Sequence, residues 1–293
     1  MPVLVAFILA GLLGQLVDGS LGMGFGVTSN TVLISHGVAP AVASASVHLA
    51  KIGTGVASGA SHWRFGNVSW PLVLRIGVPG AAGAFLGATV LSSLTGDWMV
   101  PGVAVVLLGL GCVVLLRAVR GDLDRRRTTR APLPTRFLAP VGAVGGFIDA
   151  IGGGGWGPVA TPTLLAGGRV EPRLAIGSIS AAEVIVTLAA SAGFLIGLGG
   201  SGVEASLVIT LVAGGVVAAP IAALLVGRAN PAVLGVGVGT FLLMLNTRTL
   251  MLEMGVPPAV LGITLIGLLV LGVHLAGRVR RLAMSEPAPE LTR

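Results

Sequence analysis

Long apolar runs separated by short polar segments dominate this chain. Runs of spanning length cover about residues 40–61, 70–94, 98–117, 173–199, 203–227, 231–252 and 256–277. At a rise of 1.5 Å per residue, each run could cross the roughly 30 Å hydrocarbon core of a bilayer. Two further apolar regions, 3–35 and 137–167, are interrupted by glycines in the middle. We interpret each of these two as a hairpin of two short helices or as a discontinuous helix.

The composition indicates that the bilayer is the main solvent of the protein. Hydrophobic residues make up 54% of the chain, charged residues 10%, and 47 residues are glycine. A soluble domain carries roughly 25% charged residues, and a soluble fold of this size could not cover its surface with so few. The mean hydropathy of +0.98 leads to the same conclusion. The prediction is an all-α polytopic membrane protein that resides in the lipid bilayer of the cytoplasmic (inner) membrane.

The net charge of +7 comes mainly from two short segments, 117–136 and 278–281, which lie between apolar stretches. This is the distribution that membrane topology produces, since cytoplasmic loops carry an excess of Lys and Arg. It is not a basic groove or face, so no nucleic-acid partner is expected. The single cysteine, Cys112, lies inside an apolar run and is interpreted as a packing residue. No Cys-based metal site and no nucleotide loop is present in the sequence, and no cofactor is expected.

The two halves of the chain resemble each other. Without a gap, GLLGQLVDGSLGMGFG aligns with GAVGGFIDAIGGGGWG. The matched positions are Gly11, Gly14, Asp18, Gly22, Gly24, Phe25 and Gly26 in the first half and Gly142, Gly145, Asp149, Gly153, Gly155, Trp156 and Gly157 in the second. After a one-residue shift, the segment from Pro40 aligns with the segment from Pro172. The alternative is two unrelated glycine-rich helices, but the matching order favours a two-fold repeat.

The basic loops predict the orientation of the two repeats. If the linker is cytoplasmic, nearly every other basic loop falls on the same side, provided that each glycine-rich region re-enters the membrane. The N-terminus is then outside and the C-terminus inside. Each repeat is a glycine-broken hairpin plus three spans, and this odd net number of crossings inverts one repeat relative to the other. The predicted organisation is 1–118 as the first membrane repeat, 119–136 as the basic cytoplasmic linker, 137–252 as the second repeat, 253–278 as an extra C-terminal span and 279–293 as a disordered tail.

The two glycine-rich breaks, residues 19–30 and 152–162, are candidate anion sites. Glycine permits close backbone approach, and the exposed N–H groups at the start of a short helix favour negative charge. Asn30 and the neighbouring hydroxyls add side-chain donors. The candidate substrate-binding residues in the breaks are Gly22, Gly24, Gly26, Thr28, Ser29, Gly153, Gly154, Gly155, Gly157 and Thr161. The alternative is that glycines only allow close helix packing, which is the interpretation preferred for the isolated glycines Gly77, Gly80, Gly83 and Gly87.

A polar stripe runs along one predicted helix. Its members, at spacings of 4, 3, 4, 3 and 4, are Ser44, His48, Lys51, Gly55, Ser58 and His62. This spacing places them on one helical face. Lys51 lies near the middle of the span, where a charged residue costs roughly 2.5–3.5 kcal/mol on insertion scales. Lys51 is therefore expected to face a cavity or a partner and not lipid.

Glu183 occupies the position in the second repeat that matches Lys51. Opposite charges at matched positions suggest that the two side chains meet where the repeats contact each other. In the functional interpretation Lys51 contacts the substrate, while His48 and Glu183 relay protons. The alternatives are a buried structural ion pair and a histidine that only packs. Asp18 and Asp149 adjoin the glycine breaks and are predicted to cap the short helices.

Three segments resemble the sulfite exporter TauE/SafE family of membrane transporters. They are DGSLGMGFGVTSNTVL, PAVASASVHLAKIGTGVASGASHWRFGNV and GGGGWGPVATP, and the resemblance covers about residues 5–275. It implies transport of small anions, typically sulfur-containing ones such as sulfite or organosulfonates, with proton coupling. The first break departs from a run of three glycines, because Gly22, Gly24 and Gly26 alternate with other residues.

Two other classes of function compete with a transporter, namely a membrane-embedded enzyme and a non-catalytic assembly factor. The His-Glu-x-x-His motif of an intramembrane metalloprotease is absent from the sequence. Ser20 and His274 are poor candidates for a serine hydrolase, since Ser20 lacks the expected glycine context. Paired breaks in two repeats are typical of secondary transporters. The sequence therefore predicts a transporter and not an enzyme, and this chain alone has no nucleotide motif for ATP-driven pumping.

Overall fold

The computed structural model describes residues 2–94, 98–121, 134–166, 170–199, 203, 205–225 and 230–285. These residues form eleven helices, and none of them lies in a strand. The helices are α1 (Pro2–Leu21), α2 (Phe25–Ser35), α3 (Pro40–Arg64), α4 (Trp70–Ser93), α5 (Met99–Val119), α6 (Thr135–Gly152), α7 (Trp156–Ala166), α8 (Pro172–Gly197), α9 (Ala205–Leu225), α10 (Pro231–Glu253) and α11 (Pro258–Ser285). The all-α prediction is confirmed.

Within the described residues, seven helices are long and apolar enough to cross a membrane, as judged by length and composition. They are α1, α4, α5, α8, α9, α10 and α11. The predicted set contained the region of α3 in place of α1, and the other six spans are the same. With 25 residues, α3 is long enough to span, but its polar stripe lowers its hydropathy. α11 continues to Ser285, beyond the predicted end of the last span.

The two glycine-broken regions are not pairs of short helices. α1 has 20 residues and α6 has 18, whereas α2 and α7 have 11 each. At 1.5 Å per residue, α1 alone is about 30 Å long. Each region is thus a long helix followed by a short one. The long helix ends at matched glycines with left-handed backbone, Gly22 with φ 68° and Gly153 with φ 70°, a conformation that favours glycine.

Helix contacts recur in the two halves of the chain. When α1 to α5 are compared in order with α6 to α10, most helix pairs in contact have a counterpart with the halves exchanged. α1 packs on α9 as α6 packs on α4, and α3 packs on α9 as α8 packs on α4. Two pairs of corresponding helices also pack directly on each other, α3 on α8 and α5 on α10. The two halves are therefore interlocked and do not form separate bodies.

The directly packed pairs run antiparallel. Gly55 of α3 lies against Val184, whereas Gly59, one turn later, lies against Ala181. In the other pair, Gly111 of α5 lies against Leu242. Leu115, one turn later in α5, lies against Gly239, which precedes Leu242 in α10. The two helices of each pair therefore run in opposite directions.

The isolated glycines of α4 pack as predicted. Gly77 lies against Ala182 of α8, and Gly80 lies against the Trp156 ring. Gly83 and Gly87 lie against the backbone of α6. A Cβ at these positions would push the helices apart, so the glycines serve close helix packing.

α11 stands apart from the rest of the bundle. It packs on α10 and touches α5, and only 6% of its apolar window is buried inside the protein. This exposure suits a helix surrounded by lipid. Most of the predicted linker (122–133) and most of the predicted tail (286–293) lie outside the described residues.

Candidate functional site

The two glycine breaks lie against each other. A Cβ on Gly26 would collide with the backbone of Gly153 and Gly154. A Cβ on Gly157 would collide with the backbone of Gly22 and with Met23. The backbones of the two breaks thus approach each other too closely for any residue other than glycine at these matched positions. Most of the predicted site glycines are therefore in contact across the breaks, namely Gly22, Gly26, Gly153, Gly154 and Gly157.

Two matched side chains bond across the breaks. Asn30 Nδ2 donates to the Gly152 carbonyl at 2.7 Å, and Thr161 Oγ1 donates to the Gly22 carbonyl at 2.7 Å. Asn30 and Thr161 occupy equivalent positions in the two repeats. Since the end of an α-helix leaves carbonyls without partners, each bond satisfies a carbonyl where a long helix ends. Two of the predicted anion donors are therefore engaged with protein backbone.

The remaining residues of the breaks are mostly enclosed. Thr28 is half-buried, and Ser29 is fully buried with a hydroxyl that makes no hydrogen bond among the described residues. Gly24 has φ 136° at the start of α2. Gly155 lies against Ile148 and the backbone of Asp149.

The short helices begin at aspartate carboxylates. Asp18 Oδ1 accepts the Phe25 N–H at 3.3 Å, and Asp149 Oδ1 accepts the Trp156 N–H at 3.1 Å. Each carboxylate lies seven residues before the N–H that it binds. The capping prediction is confirmed for both. The first N–H of α2 and of α7, where the sequence predicted an anion, binds a carboxylate of the protein itself.

Lys51 is the centre of a buried ionic cluster. Its ammonium lies 3.0 and 3.1 Å from the two Asp149 carboxylate oxygens and 2.7 Å from Glu183 Oε1. Lys51 is only 1% exposed. The predicted contact between Lys51 and Glu183 is present. Asp149 was predicted only to cap a helix, so the sequence analysis missed it as the second partner of Lys51.

His48 binds the same carboxylate. Its Nε2 lies 3.0 Å from Asp149 Oδ2, and its Nδ1 lies 2.8 Å from the Ser44 carbonyl. Asp149 thus receives the Lys51 ammonium, the His48 imidazole and the Trp156 N–H. These three donors come from α3 and the start of α7, and they converge on one carboxylate.

Helix α3 is attached to both breaks. The Ser44 hydroxyl donates to the Ala150 carbonyl, and His62 Nε2 donates to the Gly19 carbonyl at 3.1 Å. Gly19 and Ala150 directly follow the two aspartates at matched positions. These bonds explain why the ends of the polar stripe are polar, and they hold Lys51 between the two breaks.

Comparison of the sequence with known proteins identifies its family. The sequence model of the sulfite exporter TauE/SafE family matches residues 7–249. The chain belongs to this family. It is similar to the probable membrane transporter protein YtnM of Bacillus subtilis (strain 168), with 46% identity over 253 residues, 86% of this chain and 84% of that protein. No solved structure matches the chain.

The family match begins in α1 and ends in α10, so it contains both breaks and the Lys51 cluster and leaves out α11. Together with the apolar helices, membership of TauE/SafE identifies the chain as a multi-pass protein of a membrane transporter family. The regions that carried the resemblance in the sequence are those that form the buried site.

A groove beside this TauE/SafE site is lined by apolar residues. It has a volume of about 390 Å³ and lies between α3, α4 and α8. It is lined by Val56, Gly59, Ala60, Trp63, Trp70, Val73, Ala181, Val184 and Ile185. None of these residues is charged, so the groove has no group to neutralise an anion. The charged cluster, and not this groove, is the candidate site.

Proposed function

We propose that this protein is a secondary transporter that moves small anions, sulfur oxyanions or organosulfonates, across the cytoplasmic membrane with proton coupling. The observation that carries the proposal is the Lys51 ammonium, buried between Asp149 and Glu183 where the two broken helices meet. Buried intramembrane charges of this kind mark substrate and ion pathways.

The donors around Asp149 suit an oxyanion. An ammonium, an imidazole N–H and a helix N-terminal N–H converge on its two oxygens. Charge-assisted bonds of this type are the strong ones, and a helix N-terminus binds sulfate-like groups readily. The Asp149 carboxylate therefore occupies the place that a sulfonate or sulfite oxygen would take. The substrate binds beside it, at Lys51 and His48, when the two breaks separate and expose their glycines, Thr28, Ser29 and Thr161.

Glu183 supplies the coupling step. While ionised, it holds the Lys51 ammonium at 2.7 Å. When Glu183 takes up a proton, its attraction for Lys51 falls, and the ammonium becomes available to the anion. Substrate and proton then bind together, with His48 as the second group of the relay.

The inverted arrangement of the repeats is part of the proposal. Corresponding helices that pack directly, α3 on α8 and α5 on α10, are antiparallel. A two-fold rotation that relates antiparallel helices has its axis perpendicular to them, which supports an axis in the membrane plane. In this arrangement 1–118 and 137–252 are the repeats, 119–136 is a cytoplasmic linker and 253–278 is an additional span.

Transport of radiolabelled sulfite into proteoliposomes tests the function. The expected result is uptake that depends on an imposed proton gradient and is competed by small sulfonates. Lys51→Met abolishes it, whereas Arg173→Met, which breaks an exposed ion pair with Glu171, leaves it intact. Wild-type protein that neither binds nor moves any sulfur oxyanion or sulfonate contradicts the proposal.

A further inference from the structure

Six ionisable side chains are buried around the two breaks, and one of them, His62, is neutral because its Nε2 donates to the Gly19 carbonyl and its Nδ1 accepts from the Asn67 amide. The six are Asp18, His48, Lys51, His62, Asp149 and Glu183. They come from four helices, α1, α3, α6 and α8. None is more than 7% exposed. A net charge in such a place is costly, so the number of protons on the cluster can be inferred from its charge balance.

The hydrogen bonds of His48 and Asp149 require one proton more than a neutral imidazole and an ionised carboxylate carry together. Its Nδ1 faces the Ser44 carbonyl at 2.8 Å, which can only accept a hydrogen bond. Its Nε2 faces Asp149 Oδ2 at 3.0 Å. If Asp149 is ionised, both ring nitrogens must donate. Both Asp149 oxygens already accept hydrogen bonds, so the extra proton lies on His48 and the His48–Asp149 pair has no net charge.

The remaining charges do not balance. With that pair neutral, the charges that remain are the Lys51 ammonium and the carboxylates of Glu183 and Asp18. The sum is one negative charge among residues that are almost completely buried. One further proton neutralises the cluster.

The bonds around each carboxylate show where this proton is needed. Asp149 already accepts from Lys51, His48 and Trp156. Glu183 has the ammonium on one oxygen. Asp18 accepts the Phe25 N–H at 3.3 Å and forms no ion pair with any described residue. Asp18 is thus the carboxylate with the least compensation.

The correspondence between the two halves pairs Glu183 with Asp18. Asp18 corresponds to Asp149, and Glu183 corresponds to Lys51. Because Lys51 binds Asp149, the same relation directs the Glu183 carboxyl towards Asp18. Helices α1 and α8, which carry the two carboxyls, are in contact. Two buried carboxylates close to each other repel, and the repulsion is relieved when one of them is protonated.

Two buried polar groups without hydrogen-bond partners among the described residues lie one helical turn before these carboxyls. The Ser180 hydroxyl is 1% exposed and has no hydrogen-bond partner among the described residues. Ser180 lies one turn before Glu183 on the same face of α8, at the position that matches His48, whose ring contacts Asp149. The Gln15 amide nitrogen, one turn before Asp18, is likewise buried without a partner. Both groups are suited to a protonated carboxyl that changes its hydrogen bonds.

We infer that Asp18 and Glu183 share one proton and form a proton-binding site next to the Lys51–Asp149 site. Asp18 holds the proton while Glu183 is bound to Lys51. When an anion takes Lys51, the proton passes from the Asp18 carboxyl to the Glu183 carboxylate and Asp18 takes up a second proton from solution, so that one proton enters with each anion and the cluster stays neutral. This coupling role rests on the proposed function, whereas the shared proton does not.

Infrared spectroscopy of the protein in liposomes, without substrate, tests the shared proton. Wild-type protein at neutral pH is expected to show the C=O stretching band of a protonated carboxylic acid, with a shift in heavy water. Asp18→Asn removes the band because the acid is gone, and its amide oxygen still accepts the Phe25 N–H. Glu183→Gln removes it because the neighbouring negative charge is gone. Glu171→Gln, at a half-exposed carboxylate, leaves it unchanged.

The outcomes separate the two proposals. Absence of the band in wild type, or its persistence in Asp18→Asn, overturns the shared proton. For the coupling role, wild type and Asp18→Asn are compared in proteoliposomes with sulfite as the probe. The variant is expected to exchange sulfite but to lose accumulation driven by a proton gradient, and retained accumulation overturns the role of Asp18. If wild type ignores sulfite and small sulfonates while the band is present, the proposed function fails and the proton site stands.

Discussion

Asp18 and Asp149 occupy matching positions and make the same bond, but only Asp149 is bound by cations. Each accepts the first N–H of a short helix, at 3.3 and 3.1 Å. Asp149 also receives Lys51 and His48, whereas Asp18 has no cationic contact among the described residues. The difference arises because the residue that matches Lys51 is Glu183. In the proposed function, the same backbone arrangement therefore serves an anion-binding site in one half and a proton-binding site in the other.

Lys51→Met is expected to weaken sulfite binding by at least about tenfold, or about 1.4 kcal/mol. The reason is the loss of the buried cation nearest to the proposed substrate position. Removing one partner of a buried pair also lowers the free energy of unfolding, by about 3–5 kcal/mol. Binding is therefore measured by calorimetry on the folded, monodisperse fraction. Unchanged sulfite affinity in this fraction would exclude Lys51 as a substrate contact.

Glu183→Gln is expected to retain anion binding and to lose the dependence of transport on the proton gradient. Glutamine keeps the shape of the side chain and a carbonyl oxygen for Lys51 but cannot take up the proton. Uptake by proteoliposomes is measured with and without a pH gradient, with Glu171→Gln as the control. If Glu183→Gln follows the gradient as wild type does, Glu183 has only a structural role.

The two aspartates should differ in their contribution to stability. Asp149→Asn removes the charge that faces Lys51 and His48, and a loss of about 3–5 kcal/mol is expected for a broken buried pair. Asp18→Asn keeps an oxygen for the Phe25 N–H, and a loss of about 1 kcal/mol or less is expected. Thermal unfolding in detergent compares the variants. Equal destabilisation of both would contradict the asymmetry of the cluster.

Gly26→Ala tests how closely the breaks pack. Its Cβ would collide with the Gly153 carbonyl, and overpacking typically costs about 1–3 kcal/mol. The matched control is Gly109→Ala in α5, where a Cβ meets nothing within 4 Å and alanine favours the helix by up to about 1 kcal/mol. Melting temperatures followed by size-exclusion chromatography should fall for Gly26→Ala only. A fall of the same size in both variants would contradict the close approach of the breaks.

The predicted topology places Arg64 in the cytoplasm and Glu253 outside. Both residues are exposed, at the end of α3 and of α10. Arg64→Cys and Glu253→Cys are introduced one at a time into a Cys112→Ala background, which removes the native thiol. A membrane-impermeant thiol reagent applied to intact cells should label only Glu253→Cys. Labelling of Arg64→Cys under the same conditions would reverse the orientation.

The features that sequence reasoning predicted are those that local physics controls. Helix length against bilayer thickness, the excess of basic residues in loops and the glycine breaks are each set within about thirty residues. The match between Lys51 and Glu183 could also be read from the alignment of the halves, and the two side chains do lie 2.7 Å apart. A lysine in the middle of a span needs an anionic partner wherever the chain leads. The expectation of a contact thus followed from the energetic cost of an unpaired charge inside the membrane.

Only the tertiary structure decided which other groups meet at the site. Asp149 lies 98 residues from Lys51 along the chain, and the contact exists because α6 lies near α3. The glycine clusters contact each other, and the donors Asn30 and Thr161 are used between the breaks, for the same reason. Whether a polar group faces a substrate or another part of the protein depends on how helices cross. Sequence periodicity determines the face on which a side chain lies, but packing of distant segments determines what that face meets.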